Sequence, residues 1–163
     1  MNLNLTQKER LLLEDQKKHE EICIKKYNNY ASQTQCPELK QMLQTYAQQE
    51  QQHLDTVNQM LSGQVPNMQQ SQQQNQQQQQ QNQQQNQQQQ AGQQAGMKSV
   101  QDADMCTDLL MTEKYVSDTY DTAIFEFTDT NARQALNHIQ KEEQQHGEGI
   151  FNYMQKKGMY QAQ

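Results

Sequence analysis

The fold this sequence predicts is all-α: an antiparallel four-helix bundle made of two repeated helical hairpins. Three observations predict it. The tetrapeptide EQQH occurs twice, as Glu50-Gln51-Gln52-His53 and Glu143-Gln144-Gln145-His146, at an offset of 143 − 50 = 93 residues. Sliding residues 20–61 onto 113–154 needs no gap and lays Glu20 on Glu113, Tyr27 on Tyr120 and Leu43 on Leu136. In both copies apolar residues recur at alternating steps of three and four, the spacing of a helix with one buried face.

The elements follow in order. Thr6-Gln7-Lys8-Glu9 reads as a capping box, with Thr6 as N-cap and Glu9 reaching back, so a helix should run from there to about Ser32. Its inward stripe is Leu13, Glu20, Cys23, Ile24, Tyr27 and Tyr30. Thr34-Gln35-Cys36 is a short turn, and Pro37 suits the first position of the next helix, where a missing N–H costs nothing. Helix two carries Leu39, Met42, Leu43, Tyr46, Glu50, His53, Val57 and Met60, and Ser62-Gly63 ends it. Helix three should begin near Ser99 or Asp102 and reach about Phe127, with Cys106, Leu109, Leu110, Glu113, Val116, Tyr120, Ile124 and Phe127 inward. Asp129 is the expected N-cap of helix four, whose stripe is Ala132, Leu136, Ile139, Glu143, His146, Ile150 and Tyr153. Gly147 and Gly149 weaken that helix by about 1 kcal/mol each relative to Ala. Lys156, Lys157 and Gly158 close it.

The division is therefore a first hairpin at 1–63, a Gln/Asn-rich run at 64–98 and a second hairpin at 99–163, with the hairpins sharing one bundle. The run has no apolar periodicity and reads as a disordered linker. Its roughly 36 residues would span about 30–36 Å as a flexible chain, comparable to a 24-residue helix of about 36 Å. A short, a long and a short connection fit the ferritin-like bundle with its single long crossover.

Composition excludes several alternatives. A net charge of −6 argues against nucleic acid and anionic membranes as partners. No apolar stretch approaches the ~20 residues needed to span a membrane. Lys8, Glu9 and Arg10 come too early for a signal-peptide core, so a cytoplasmic product is expected. The mean hydropathy of −1.26 is inflated by glutamine and does not by itself argue for disorder. Three cysteines with no CxxC pair suggest neither a disulfide framework nor a zinc site, and no phosphate-binding loop, nucleophile elbow or dinucleotide fingerprint is present.

The candidate site comes from the repeat. A carboxylate and an imidazole at i and i+3 share one helix face. Two ExxH pairs plus a lone Glu on each partner helix form the ligand set of two-metal carboxylate sites in bundles. Glu20 and Glu50 each lie fifteen residues from Gln35, at the centre of the first turn; Glu113 and Glu143 each lie fifteen from Thr128. Equal rise then places four carboxylates in one layer, with His53 and His146 a turn further on. No Lys or Arg falls on the stripes at that level. Four bare carboxylates in a dry core would be prohibitive, and divalent cations are the natural counter-charge. The predicted metal ligands are Glu20, Glu50, His53, Glu113, Glu143 and His146, and hard carboxylates with one imidazole per ion suit a dinuclear Fe or Mn centre. The competing reading is a bundle whose Glu and His residues pair with one another or with water.

The remaining residues carry weaker signals. Tyr27 and Tyr120 are read as core tyrosines with satisfied hydroxyls, with a role beside the metal or in redox chemistry as the alternative. Cys23, Cys106, Leu11–Leu13 and the methionines are read as core filling. His19 and His138 fall off the stripes and are expected in solvent. The Gln run is a spacer or, alternatively, a self-association segment.

Asp108-Leu109-Leu110-Met111-Thr112-Glu113-Lys114, the Tyr120 and Ile124 region and the ending Ile150-Phe151-Asn152-Tyr153-Met154-Gln155-Lys156-Lys157-Gly158-Met159-Tyr160 resemble the spore coat protein F (Coat F) family of Gram-positive endospore formers. The likeness covers the second hairpin, with Met159 where an aromatic is usual, and the first hairpin reads as a divergent copy. The resemblance implies a ferritin-like fold, synthesis in the mother-cell cytoplasm, and deposition in the spore coat through self-association and other coat proteins. It implies no established catalytic activity. The paired ExxH pattern also resembles manganese catalases and rubrerythrins, which implies, as the alternative, an Fe/Mn-dependent oxidoreductase acting on peroxide or O2.

Overall fold

The computed structural model describes residues 2–66 and 100–160. Four helices account for most of them: α1 Gln7–Gln33, α2 Pro37–Leu61, α3 Val100–Glu126 and α4 Thr130–Lys156. The disordered linker expected over 64–98 lies, from residue 67 onward, outside the described residues.

Capping fixes the helix starts. Thr6 Oγ1 accepts the Glu9 N–H at 3.2 Å, and the Thr6 N–H donates to Glu9 Oε2 at 2.7 Å, which completes the capping box. The other Glu9 oxygen accepts from the Thr128 N–H at 2.8 Å and the Thr128 hydroxyl at 3.0 Å. One side chain thus starts α1 and holds the α3–α4 turn. Burial pushes the Glu9 carboxyl up, but these donors outweigh it and keep the group below the usual range. Asp129 caps α4, accepting from the Asn131 and Ala132 N–H groups. Cys36, its equivalent in the 93-residue register, caps α2 without a side-chain bond, and Pro37 removes one of the N–H groups that would need a partner. Gly63 ends α2 at a φ of +82°, the left-handed region that glycine enters freely. Its carbonyl accepts the Leu3 N–H at 2.7 Å, pinning the N-terminal segment across the exit of α2.

α1 packs on α2 and α3, and α4 packs on α3 and α2. Cross-helix contacts set the directions. Gln33 meets Gln101 and Tyr27 meets Glu113, whereas Gln16 meets Thr119, so α1 and α3 are antiparallel. Glu38 meets Lys156 and His53 meets Glu142, so α2 and α4 are antiparallel as well. Hence α2 and α3 run the same way. The chain leaves α2 at one end of the bundle and enters α3 at the other, a helix length of roughly 38 Å away for the 25 residues of α2.

The inward stripes form the core. Leu13, Leu39, Leu43, Val57, Met60, Leu109, Leu136 and Ile150 are essentially inaccessible. Ala31, Ala47, Ala123 and Ala135 are buried too, where small side chains let helices approach closely. Ile24, Tyr30, Met42, Leu110 and Ile124 lie on the flanks of their stripes, half-buried. Two core-filling expectations are corrected: Leu11 and Met111 stand on the surface, 55% and 67% exposed, because they fall on the outer faces of α1 and α3. No helix among the described residues is long and apolar enough to cross a membrane.

Replacing Glu9 by Ala should destabilise the fold by about 1–2 kcal/mol, since it removes an α1 cap and the tie to Thr128 together. Replacing exposed Glu14 should change stability by less than about 0.5 kcal/mol. Urea unfolding followed by circular dichroism measures both.

Candidate metal centre

The repeat brings its six polar side chains together from four helices. Glu20 comes from α1, Glu50 and His53 from α2, Glu113 from α3, and Glu143 and His146 from α4; each is 2% exposed or less. Their donor atoms form two groups. Glu20, Glu50, His53 and Glu143 make one; Glu50, Glu113, Glu143 and His146 make the other. Within each group the donor atoms lie within 4.8 Å of one another, close to the spread one cation with bonds of roughly 2.0–2.2 Å can reach. Glu50 and Glu143 belong to both groups, so the glutamates of the two EQQH motifs stand between two positions, with Glu20 and Glu113 at the outer ends.

The imidazoles point in a consistent way. His53 Nδ1 lies 3.0 Å from Glu143 Oε1, 3.4 Å from Glu50 Oε2 and 3.7 Å from Glu20 Oε2. His146 Nδ1 lies 2.9 Å from Glu50 Oε1 and 3.8 Å from Glu113 Oε2. The rings are nearly parallel, with centroids 5.8 Å apart. Each Nε2 turns away to an acceptor on the opposite hairpin. His53 Nε2 donates to Glu142 Oε2 at 2.8 Å, and His146 Nε2 donates to Gln49 Oε1 at 2.9 Å. An acceptor at Nε2 keeps a proton there, and each Nδ1 faces the carboxylates, where a cation would take its lone pair in place of a proton.

The outer glutamates are held in the same crossed manner. The Tyr27 hydroxyl on α1 donates to Glu113 Oε1 on α3, and the Tyr120 hydroxyl on α3 donates to Glu20 Oε1 on α1. Burial, then the charge of the glutamate each tyrosine meets, raises both phenols well above their usual range, so they remain donors. The second oxygens of Glu20 and Glu113 turn inward. They join Glu50 Oε2, both Glu143 oxygens and His53 Nδ1 as buried atoms without a hydrogen-bond partner. An orphaned buried polar atom is costly, and these six, five carboxylate oxygens and one imidazole nitrogen, are the donor set a pair of cations would satisfy.

Electrostatics sharpens the need. No Lys or Arg among the described residues pairs with these carboxylates; the Lys pairs are with Glu126, Asp15, Asp108 and Glu38. Burial, and then the neighbouring Glu50, raises Glu20 to about 8 and Glu143 to about 7. Burial and the Glu143 charge raise Glu113 well above its usual range. Burial acts upward on Glu50 as well, but the hydrogen bond to His146 and the neighbouring His53 imidazole prevail and hold it low. Burial would depress His53, yet the surrounding glutamates, Glu142 first, raise it well above its usual value. Without cations, protons must balance this charge. Two divalent cations would balance four ionised carboxylates outright.

Several partners were not legible in the sequence. Glu142 and Gln49 occupy the same place in the 93-residue register, one residue before each EQQH glutamate, and that shared position is the signal that could have found them. His138, expected in solvent, is 22% exposed, and its Nε2 lies 3.4 Å from Glu142 Oε1. His19, also expected in solvent, is half-buried against Tyr115, with ring centroids 5.5 Å apart. Tyr46 stacks on His146 at 4.3 Å, and its hydroxyl fills the space over Gly149, where a Cβ would sit 1.8 Å from it. A side chain at position 149 would therefore require the Tyr46 ring to shift. Cys23 and Cys106 are buried free thiols, raised by burial and, for Cys23, by the surrounding glutamates; Cys106 reaches about 12.

Residues 101–163 match the family model of the Coat F domain. The match covers α3 and α4, and with them Glu113, Glu143 and His146. No curated protein and no solved structure matches the chain.

Two outcomes follow from this geometry. Raised carboxylates contribute stability that is complete below the ordinary value of 4.5 and is lost as pH rises through about 7 for Glu143 and about 8 for Glu20. Raised His53 acts with the same sign, and depressed Glu50 acts only below that window. Chelator-treated protein should therefore lose melting temperature between pH 5 and about 8, read by circular dichroism. Gly149→Ala should displace the Tyr46 ring from His146, and the cost should shrink in a Tyr46→Phe background, where the clashing hydroxyl is gone. A double-mutant cycle on thermal unfolding measures that coupling.

Proposed function

We propose that the chain is a spore coat component whose ferritin-like bundle holds two divalent cations, Fe or Mn, in the Glu/His cluster. The match of its second hairpin to the Coat F domain supports the coat role. One observation carries the metal reading: two four-residue donor groups share Glu50 and Glu143 and enclose six buried atoms without hydrogen-bond partners. One position would be held by Glu20 and His53, the other by Glu113 and His146, and both by Glu50 and Glu143. Carboxylate and imidazole donors, with no thiolate in either group, suit Fe or Mn. Cations placed here would tie four helices across both hairpins, and their binding energy would become folding energy. In a coat, other coat proteins and further copies of this chain are the partners of such a bundle.

The second reading is an oxidoreductase acting on peroxide or O2, and the crossed tyrosines favour it. A redox-active metal pair held here would give electrons to one peroxide and take them back from another. The chain's own part is positioning. Tyr27 and Tyr120 orient Glu113 and Glu20 by donating one hydrogen bond to each. The packed core excludes bulk water.

Elemental analysis of protein purified without chelator tests the shared premise. About two Fe or Mn per chain are expected. Under about half an equivalent, with none bound on titration, would sink it. Because Glu50 is shared, Glu50→Gln should weaken both binding steps by on the order of 10-fold or more, whereas Glu20→Gln should weaken chiefly one. O2 release from peroxide by the loaded protein, lost in Glu50→Ala and His146→Ala, selects the enzyme. Metal-dependent melting without turnover selects the structural role.

A further inference from the structure

The two halves of the cluster are not equivalent. His53 Nε2 is backed by a carboxylate, Glu142, whose other oxygen lies 3.4 Å from His138 Nε2. His146 Nε2 is backed at nearly the same distance by a neutral amide, Gln49. These two residues occupy equivalent places in the repeat, since 142 − 49 = 93, so the difference is one of charge at a matched position. The surroundings differ as well. Tyr46 stacks on His146 from the side of Gly149, whereas the repeat places Ile139 and Thr56 at the corresponding positions of the other half.

A carboxylate that accepts the outer N–H of a metal-bound imidazole makes the inner nitrogen a stronger donor and adds a negative charge close to the cation. A primary amide in that place fixes the ring equally well and adds no charge. Resting on the metal reading above, we propose that Glu142 and Gln49 make the pair asymmetric. The position formed by Glu20, Glu50, His53 and Glu143 fills first and binds more tightly, and the position formed by Glu50, Glu113, Glu143 and His146 fills second and exchanges its cation more readily. Glu142 and Gln49 are positioning residues, acting through the imidazoles rather than touching the ion. For either proposed role the consequence is concrete: one cation staples the bundle, and the other is the one that loads and leaves.

Titration of the full chain with Mn(II), followed by calorimetry and by electron paramagnetic resonance, tests this. The wild type should bind in two steps separated by roughly 10–100-fold. Its spectrum at one equivalent should be that of an isolated Mn(II), with the coupled-pair spectrum growing only with the second. Glu142→Gln should weaken the first step and draw the two steps together. Gln49→Glu should tighten the second step, which gives a gain-of-binding readout that survives if the first variant folds poorly. The exchange Gln49→Glu with Glu142→Gln should invert the order of filling, so that His146→Ala rather than His53→Ala abolishes the first step. A separation unchanged in both single variants would assign it to repulsion between the cations and overturn the inference while leaving the metal reading intact. No binding in any variant would overturn both.

Discussion

The layer in which four glutamates meet is the constraint on which the rest of this structure depends. Glu20, Glu50, Glu113 and Glu143 are almost wholly inaccessible, and no Lys or Arg among the described residues pairs with them. A dry core does not tolerate four uncompensated negative charges. The compensation must come from protons, which the raised carboxyls and His53 hold, or from cations, which the inward-turned oxygens could ligate. Everything else in the bundle serves to bring these groups to one level and keep them there.

The two-fold character of the chain does most of that work. Each outer glutamate is held by a tyrosine from the other hairpin, and each imidazole by an acceptor from the other hairpin. The cluster therefore stitches α1 to α3 and α2 to α4, the pairs that the short turns do not join. Glu9 does similar work at one end of the bundle, linking the start of α1 to the α3–α4 turn. The symmetry breaks around the histidines, at Gln49 and Glu142 and at Tyr46 and Ile139, and beside the carboxylates at Cys23, whose counterpart is Val116.

Much of this was legible in the sequence because it rests on register. A gapless repeat and equal distances to two turns place six side chains at one height whatever the details of packing, and the four helices begin and end within a few residues of where caps, Pro37 and Gly63 put them. Partners across helices were not legible. Glu142 and Gln49 sit one residue, about 100° of rotation, off the stripe, and only the approach of the opposite hairpin turns them inward. His19 is likewise half-buried against Tyr115 of another helix, whereas the contact of His138 is with Glu142 of its own helix. The hydroxyls of Tyr27 and Tyr120 were expected to find an acceptor, but helical periodicity cannot say that the acceptor is a glutamate of the cluster. Leu11 and Met111 went the other way, being apolar residues whose place on the helix outweighs their type.

The most direct test of the account is crystallography of protein grown with Mn(II), with anomalous diffraction recorded to locate the ions. The account predicts two anomalous peaks inside the bundle, one beside Glu20 and His53, the other beside Glu113 and His146, with Glu50 and Glu143 between them. An ordered bundle with no peak at that layer, and with Glu and His side chains hydrogen-bonded to one another or to water instead, would contradict it.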